Sequence, residues 1–127
     1  MKNIVVRQIC ILAALFMASA SFLSANEPQK DDAALVAKLV SAIQNTDYEA
    51  FVADGSEAFH AITKPQFDSV CESLGVKLKT AHTTFLGELN QQGFRVTLWK
   101  LSFADGSDDA LATLSVKDGK VGGFWIK

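Results

Sequence analysis

Three turn signals in the last 48 residues constrain this chain more than any other feature, because they cut a run of strand formers into four short pieces. Residues 80–89 (TAHTTFLGEL) run into Asn90-Gln91-Gln92-Gly93, and residues 94–104 (FRVTLWKLSFA) run into Asp105-Gly106-Ser107-Asp108. Residues 109–117 (DALATLSVK) end at Asp118-Gly119, which leads into residues 120–126 (KVGGFWI). Asp118-Gly119 is the clearest signal. A type I′ turn needs positive φ at both central residues, which Asp tolerates and Gly adopts freely. Connections this short join antiparallel neighbours, whereas parallel strands need long crossovers, so the four pieces are predicted to form an antiparallel meander.

Side-chain alternation identifies the face to be buried. Ala110, Ala112, Leu114 and Val116 point one way while Thr113, Ser115 and Lys117 point the other, with Leu111 the exception. Residues 94–104 alternate less cleanly, with Val96 and Leu98 on one face and Trp99, Leu101 and Phe103 on the other. Either a bulge shifts the phase near Leu98-Trp99, or the strand is covered on both sides. A long, bent strand is the favoured expectation. Gly122-Gly123 predicts a kink or a close backbone approach. A sheet with one apolar face must bury it, and only the preceding half of the chain can do so.

That half reads as helices. Between residues 33 and 45 the apolar positions Leu35, Val36, Leu39, Val40, Ala42 and Ile43 form a single stripe, with Asp31 or Asp32 placed to cap it. Thr46-Asp47-Tyr48-Glu49 fits a capping box and opens a second, shorter helix that buries Tyr48, Phe51 and Val52 and ends at Gly55. Residues 56–62 (SEAFHAI) fit either a short strand or an irregular turn of helix. Thr63-Lys64-Pro65-Gln66 repeats the capping logic with Pro in the first turn. It opens a third helix, 64–74, which buries Phe67, Val70, Cys71 and Leu74 and stops at Gly75. The expected fold class is α+β: three N-terminal helices packed on a bent antiparallel sheet of four or five strands, the fifth being 56–62.

Residues 1–25 have the pattern of a secretory signal peptide: Lys2 and Arg7, an apolar run over 9–17, then small residues. Cleavage fits after Ala20, in Ala18-Ser19-Ala20, or after Ala25. An N-terminal membrane anchor is the alternative, but the run is short of the roughly 20 residues a span needs. Export makes the mature domain, 26–127, periplasmic or secreted, with no membrane attachment after leader removal. About 102 residues suffice for one compact domain and are too few for two. Loss of Lys2 and Arg7 leaves 10 basic side chains against 14 acidic ones. The cations are scattered, and nucleic-acid binding would need a basic face, so no nucleic-acid partner is expected. Cys71 is then the single cysteine, since Cys10 leaves with the leader, and no intramolecular disulfide can form.

No site chemistry is spelled out. His60 and His82 lie 22 positions apart without His, Cys or carboxylate at metal-ligand spacing. Asp105, Asp108 and Asp109 lack the spacing and closing Glu of a calcium loop. Cys71 sits on an apolar helix stripe and reads as an inert thiol. There is no G-x-S-x-G nucleophile setting and no Gly-rich phosphate cradle before a helix. No metal, cofactor or catalytic residue is expected. Arg95, Glu88 and Lys100 read as solvated strand residues, with Glu88 and Arg95 able to pair across the first hairpin. The aromatic-rich sheet (Phe85, Trp99, Phe103, Phe124, Trp125) suits plain core packing, an apolar ligand cavity, or an outer face that pairs with another subunit. For a ligand cavity, the candidates are Tyr48, Phe51, His60, Phe85, Trp99 and Trp125.

Three stretches carry a family likeness: Asn45-Thr46-Asp47-Tyr48-Glu49-Ala50-Phe51, Lys64-Pro65-Gln66-Phe67 through Leu74-Gly75, and residues 96–103 with 114–126 (LSVKDGKVGGFWI). Over nearly all of the mature chain this order resembles the nuclear transport factor 2-like superfamily, and in particular a small secreted branch of uncharacterised domains. The resemblance implies helices that close the mouth of a strongly bent, cone-forming sheet. Its isomerase members place a carboxylate base and a tyrosine or acid donor inside that cone. The sole tyrosine here, Tyr48, sits where helix packing explains it, and no position matches the catalytic pattern, so no catalytic role is carried over.

Three functions remain in play. The first is an exported non-enzymatic domain that binds a small apolar ligand or a protein partner. The second is a homodimer joined through its outer sheet face. The third is a ketosteroid-isomerase-like enzyme, which would require His60, Tyr48 or Asp47 to converge in the cone. The leader is directly testable: the intact mass of protein recovered from the exported fraction should correspond to a chain beginning at Ser21 or Asn26, and a full-length mass would overturn the reading.

Overall fold

The computed structural model describes residues 27–127, so the leader, its cleavage sites and Cys10 lie outside the described residues. Helices come first and a single antiparallel sheet follows, as expected for an α+β chain.

Helix α1 (Lys30–Gln44) buries Val36, Leu39, Val40, Ala42 and Ile43, the stripe that its periodicity predicts. Its N-cap is Gln29, without a side-chain cap, and Asp31 and Asp32 lie inside the first turn instead. Asp32 is fully buried and takes both hydrogen bonds of a bidentate pair, from Arg95 Nε and Nη2, each at 2.7 Å. Arg95 also lies 3.6 Å from Glu88, as cross-hairpin pairing suggested. It is therefore the anchor of α1 on the sheet rather than a solvated strand residue.

The second helix starts one residue later than its capping box implies. Thr46 adopts φ 53° to reverse the chain after α1, which leaves Asp47 as the N-cap of α2 (Tyr48–Val52), where it accepts from the Ala50 amide at 3.1 Å. Within residues 56–62 a single turn of helix forms, not a strand. Ser56 caps α3 (Glu57–His60) by accepting from the Phe59 amide at 3.3 Å, so four helices, not three, precede the sheet among the described residues. The Thr63–Gln66 capping box is formed and opens α4 (Lys64–Leu78). This helix runs through Gly75 rather than stopping there. A side chain at Gly75 would stand 3.4 Å from the Ile43 carbonyl, so this glycine serves the approach of α4 to α1.

The sheet has the order β1 (Ala81–Gln91), β2 (Phe94–Phe103), β3 (Ala110–Lys117), β4 (Lys120–Ile126), four strands without a fifth among the described residues. Asp118-Gly119 turns with φ 52° and 75°, and Gln92-Gly93 repeats the geometry with 53° and 81°, both with the positive φ pair of a type I′ hairpin. No register shift falls within β2 against β3. The bulge lies in β1, between Phe85 and Gly87, and a second shift falls opposite Gly122. The β2 pattern looks irregular because two inward positions are polar. Arg95 is met by Asp32, and Thr97, only 1% exposed, accepts the Trp99 indole N–H at 2.8 Å. With those two assigned inward, the faces alternate along β2, but Val96 on the outer row is also buried, at 6% exposed, so the strand is covered on both sides at that point. Gly122 and Gly123 meet the close-approach expectation, since the Phe94 and Trp125 rings occupy the space their side chains would need.

Breaking the Arg95–Asp32 pair should leave a buried carboxylate without a partner. Removing one partner of such a pair costs about 3–5 kcal/mol, less here because Arg95 is partly solvated. Arg95→Met should therefore lower urea stability by about 2–3 kcal/mol, and adding Asp32→Leu should recover part of the loss. An unchanged midpoint for Arg95→Met would show that the pair anchors nothing.

Candidate binding site

The site grows out of the way β4 ends the sheet. Residues 54–56 run beside the start of β4 and pair with it through Val121: its amide donates to the Asp54 carbonyl at 2.9 Å, and its carbonyl accepts from the Ser56 amide at 2.8 Å. Ser56 then caps α3, which packs beside β4 as a helix, and strand pairing with β4 stops there. Beyond that point β4 faces not a strand but the loop before α4 and one side of α4 itself. Between them lies a pocket of about 390 Å³, lined by Ile43, Phe51, Ile62, Phe67, Val70, Leu74, Phe124, Trp125 and Ile126, with Gln66 the one polar side chain.

Helix α4 explains the gap. It turns Phe67 and Leu78 into the core and Cys71 and Leu74 against it, a stripe directed at α1. Val70 lies off that stripe and remains 40% exposed, although helical spacing suggests that it should be buried with Phe67 and Leu74. It therefore walls a cavity that nothing in the described residues fills.

The six residues expected to share a cavity are divided. Phe51 lines the pocket from the core side and stacks on Phe59 and Phe67, with ring centroids 5.2 and 4.9 Å away. Trp125 forms part of the pocket wall but is 53% exposed on the other side of the sheet. Tyr48 stands behind the lining: its ring packs on Phe67 at 5.8 Å, and its hydroxyl donates to the Ile62 carbonyl. His60 is exposed, and its Nε2 bonds to the Val52 carbonyl at 2.8 Å, tying α3 to α2. Phe85 and Trp99 meet edge to face at 5.2 Å on β1 and β2, away from these lining residues. Ile62, Val70, Leu74, Phe124 and Ile126 were not among the candidates. The signal for Val70 was present in its spacing but reads equally as core.

The chemistry available in the pocket is apolar contact. Tyr48, His60 and Asp47, the groups an acid–base reaction would need, are each bonded to backbone of the helical layer. Cys71 is half-buried on α4, and burial pushes its thiol pKa up, away from the thiolate that a nucleophile needs. Among the described residues no three His, Cys, Asp or Glu side chains gather as metal ligands, and no helix is long and apolar enough to cross a membrane. The outer sheet face carries a different cavity, of about 540 Å³, mixed in polarity and lined by Gln91, Gln92, Phe94, Val96, Ser115, Gly122 and Trp125. Comparison with protein-family models, with curated proteins and with solved structures finds no match.

Proposed function

We propose that this is a non-enzymatic binding domain, exported from the cytoplasm, that holds an apolar group in the pocket between α4 and β4. The apolar group belongs to a small ligand or to a partner protein. The observation that carries the proposal is the lining itself: nine apolar residues and one uncharged amide around about 390 Å³, a volume within the usual range for ligand pockets. Filling the pocket removes from water the side chain of Val70, which stands 40% exposed. The leader pattern of residues 1–25 supports export, and the helices-then-sheet order is compatible with a nuclear transport factor 2-like fold.

A homodimer through the outer sheet face is the second reading. It is favoured by Leu111 and Trp125, exposed at 38% and 53% on the face opposite Ala112 and Leu114.

The pocket is tested with N-phenyl-1-naphthylamine, a neutral apolar fluorophore. It should bind at one site with enhanced emission, and Val70→Asp should weaken that binding at least about tenfold, because a carboxylate in the wall must be desolvated. Equal binding by the variant would remove the pocket from consideration. If light scattering then gave twice the chain mass, and a Trp125→Glu variant gave the monomer, the outer face would take its place.

A further inference from the structure

The pocket is bordered by a row of backbone groups that a purely apolar ligand leaves unused. Leu111 and Lys127 exchange both of their backbone hydrogen bonds, at 2.9 Å each. In an antiparallel ladder such pairs alternate with pairs whose N–H and C=O groups point away from each other. With Thr113 opposite Trp125 the next bonded pair, Ile126 opposite Ala112 and Phe124 opposite Leu114 are the non-bonded ones. The N–H and C=O groups of Phe124 and Ile126 therefore point outward from β4, along its free side. Val121 points the same way, and its two groups are the ones already taken by Asp54 and Ser56. The sheet order ends at β4, so among the described residues no strand meets Phe124 or Ile126.

The side chains of these two residues line the pocket, while Trp125 between them shows its ring to the opposite face. Open backbone groups and an apolar cavity thus share the same two residues. The one bulge of β4, at Gly122, falls before this stretch, and from Gly123 to Ile126 the strand has neither Pro nor a charged side chain, two of the devices that ordinarily protect an edge.

We infer that the apolar group reaches this pocket on an extended peptide, which adds to the sheet as a strand beside Phe124 and Ile126. This rests on the binding reading above and names the partner: an uncharged segment of another protein in which apolar residues alternate. Residues opposite Phe124 and Ile126 in such a strand project to the same face as those two side chains, and so enter the pocket. The residue opposite Trp125 projects the other way, onto the indole. The added strand continues the row that residues 54–56 begin and α3 abandons.

The experiment uses a blocked five-residue peptide of alternating threonine and valine, followed by the amide signals of Phe124 and Ile126. Two versions are compared with it, one N-methylated at both valines and one at the three threonines. The side chains are unchanged, but opposite sets of N–H groups are lost. In an antiparallel complex the valines carry the paired N–H groups, and in a parallel complex the threonines carry them. The unmethylated peptide should bind and slow solvent exchange at Phe124 and Ile126. One methylated version should bind comparably, and the other should lose at least about tenfold, the combined effect of its missing hydrogen bonds. Equal binding by all three would show that the pocket takes side chains without strand pairing, which overturns the inference but leaves the binding function. Naphthylamine binding without any peptide binding would do the same. Failure of both probes would overturn the inference and the function together.

Discussion

Arg95 stands on the core-facing row of β2, and its charge must be met inside the protein. The only acidic side chain wholly withdrawn from solvent among the described residues, Asp32, comes from the first turn of α1, sixty-three residues earlier. Because the contact is bidentate and directional, it fixes the rotation of α1 as well as its position. That rotation turns Val36, Leu39 and Ile43 into the same core cluster as Leu101, Ala112 and Leu114, which are completely buried. A purely hydrophobic contact would tolerate sliding of the helix over the sheet, whereas a fork of two short hydrogen bonds does not. The position of α4, which packs on α1, follows from the same contact, and so does the spacing between α4 and β4.

Much of the architecture was legible because it was local. The hairpin at Asp118-Gly119, the capping box at Thr63 and the stripe of α1 each depend on residues a few positions apart, and each formed as read. The misreadings came where a distant partner decided the outcome. Asp32 reads as a cap and Arg95 as a solvated strand residue until the two claim each other. Gly75 reads as a stop because a helix end and a helix–helix approach ask for the same residue. Thr46 and Asp47 are both good caps, and the choice fell to the need for a left-handed residue between α1 and α2.

The site was less legible than the fold. Aromatic residues drew attention, but Trp99 and Phe85 are spent on each other, and Tyr48 holds the loop at Ile62. Half of the cavity lining is Val, Leu and Ile, whose spacing is the same whether they face a neighbour or a void. What separates the two cases is the path of the chain after Ser56, where one β-bridge gives way to a helix four residues long. No periodicity records where a neighbouring segment leaves.

The two borders of the sheet are unequal, which bears on how copies of this chain would meet in concentrated solution. Along β1 the bulge at Leu86 interrupts the ladder, and Glu88 carries a charge on the inward row, two features that discourage another sheet from docking there. Along β4 the bulge at Gly122 lies next to Val121, where residues 54–56 already pair, and the stretch beyond it carries neither a bulge nor a charge up to Ile126. Strand pairing between copies through that stretch would join like to like. A contact of that kind uses up the same surface on both molecules and closes at two copies, whereas joining β4 of one copy to β1 of the next would propagate into a fibre. The irregularity at Leu86 therefore limits the length of any assembly this sheet can build.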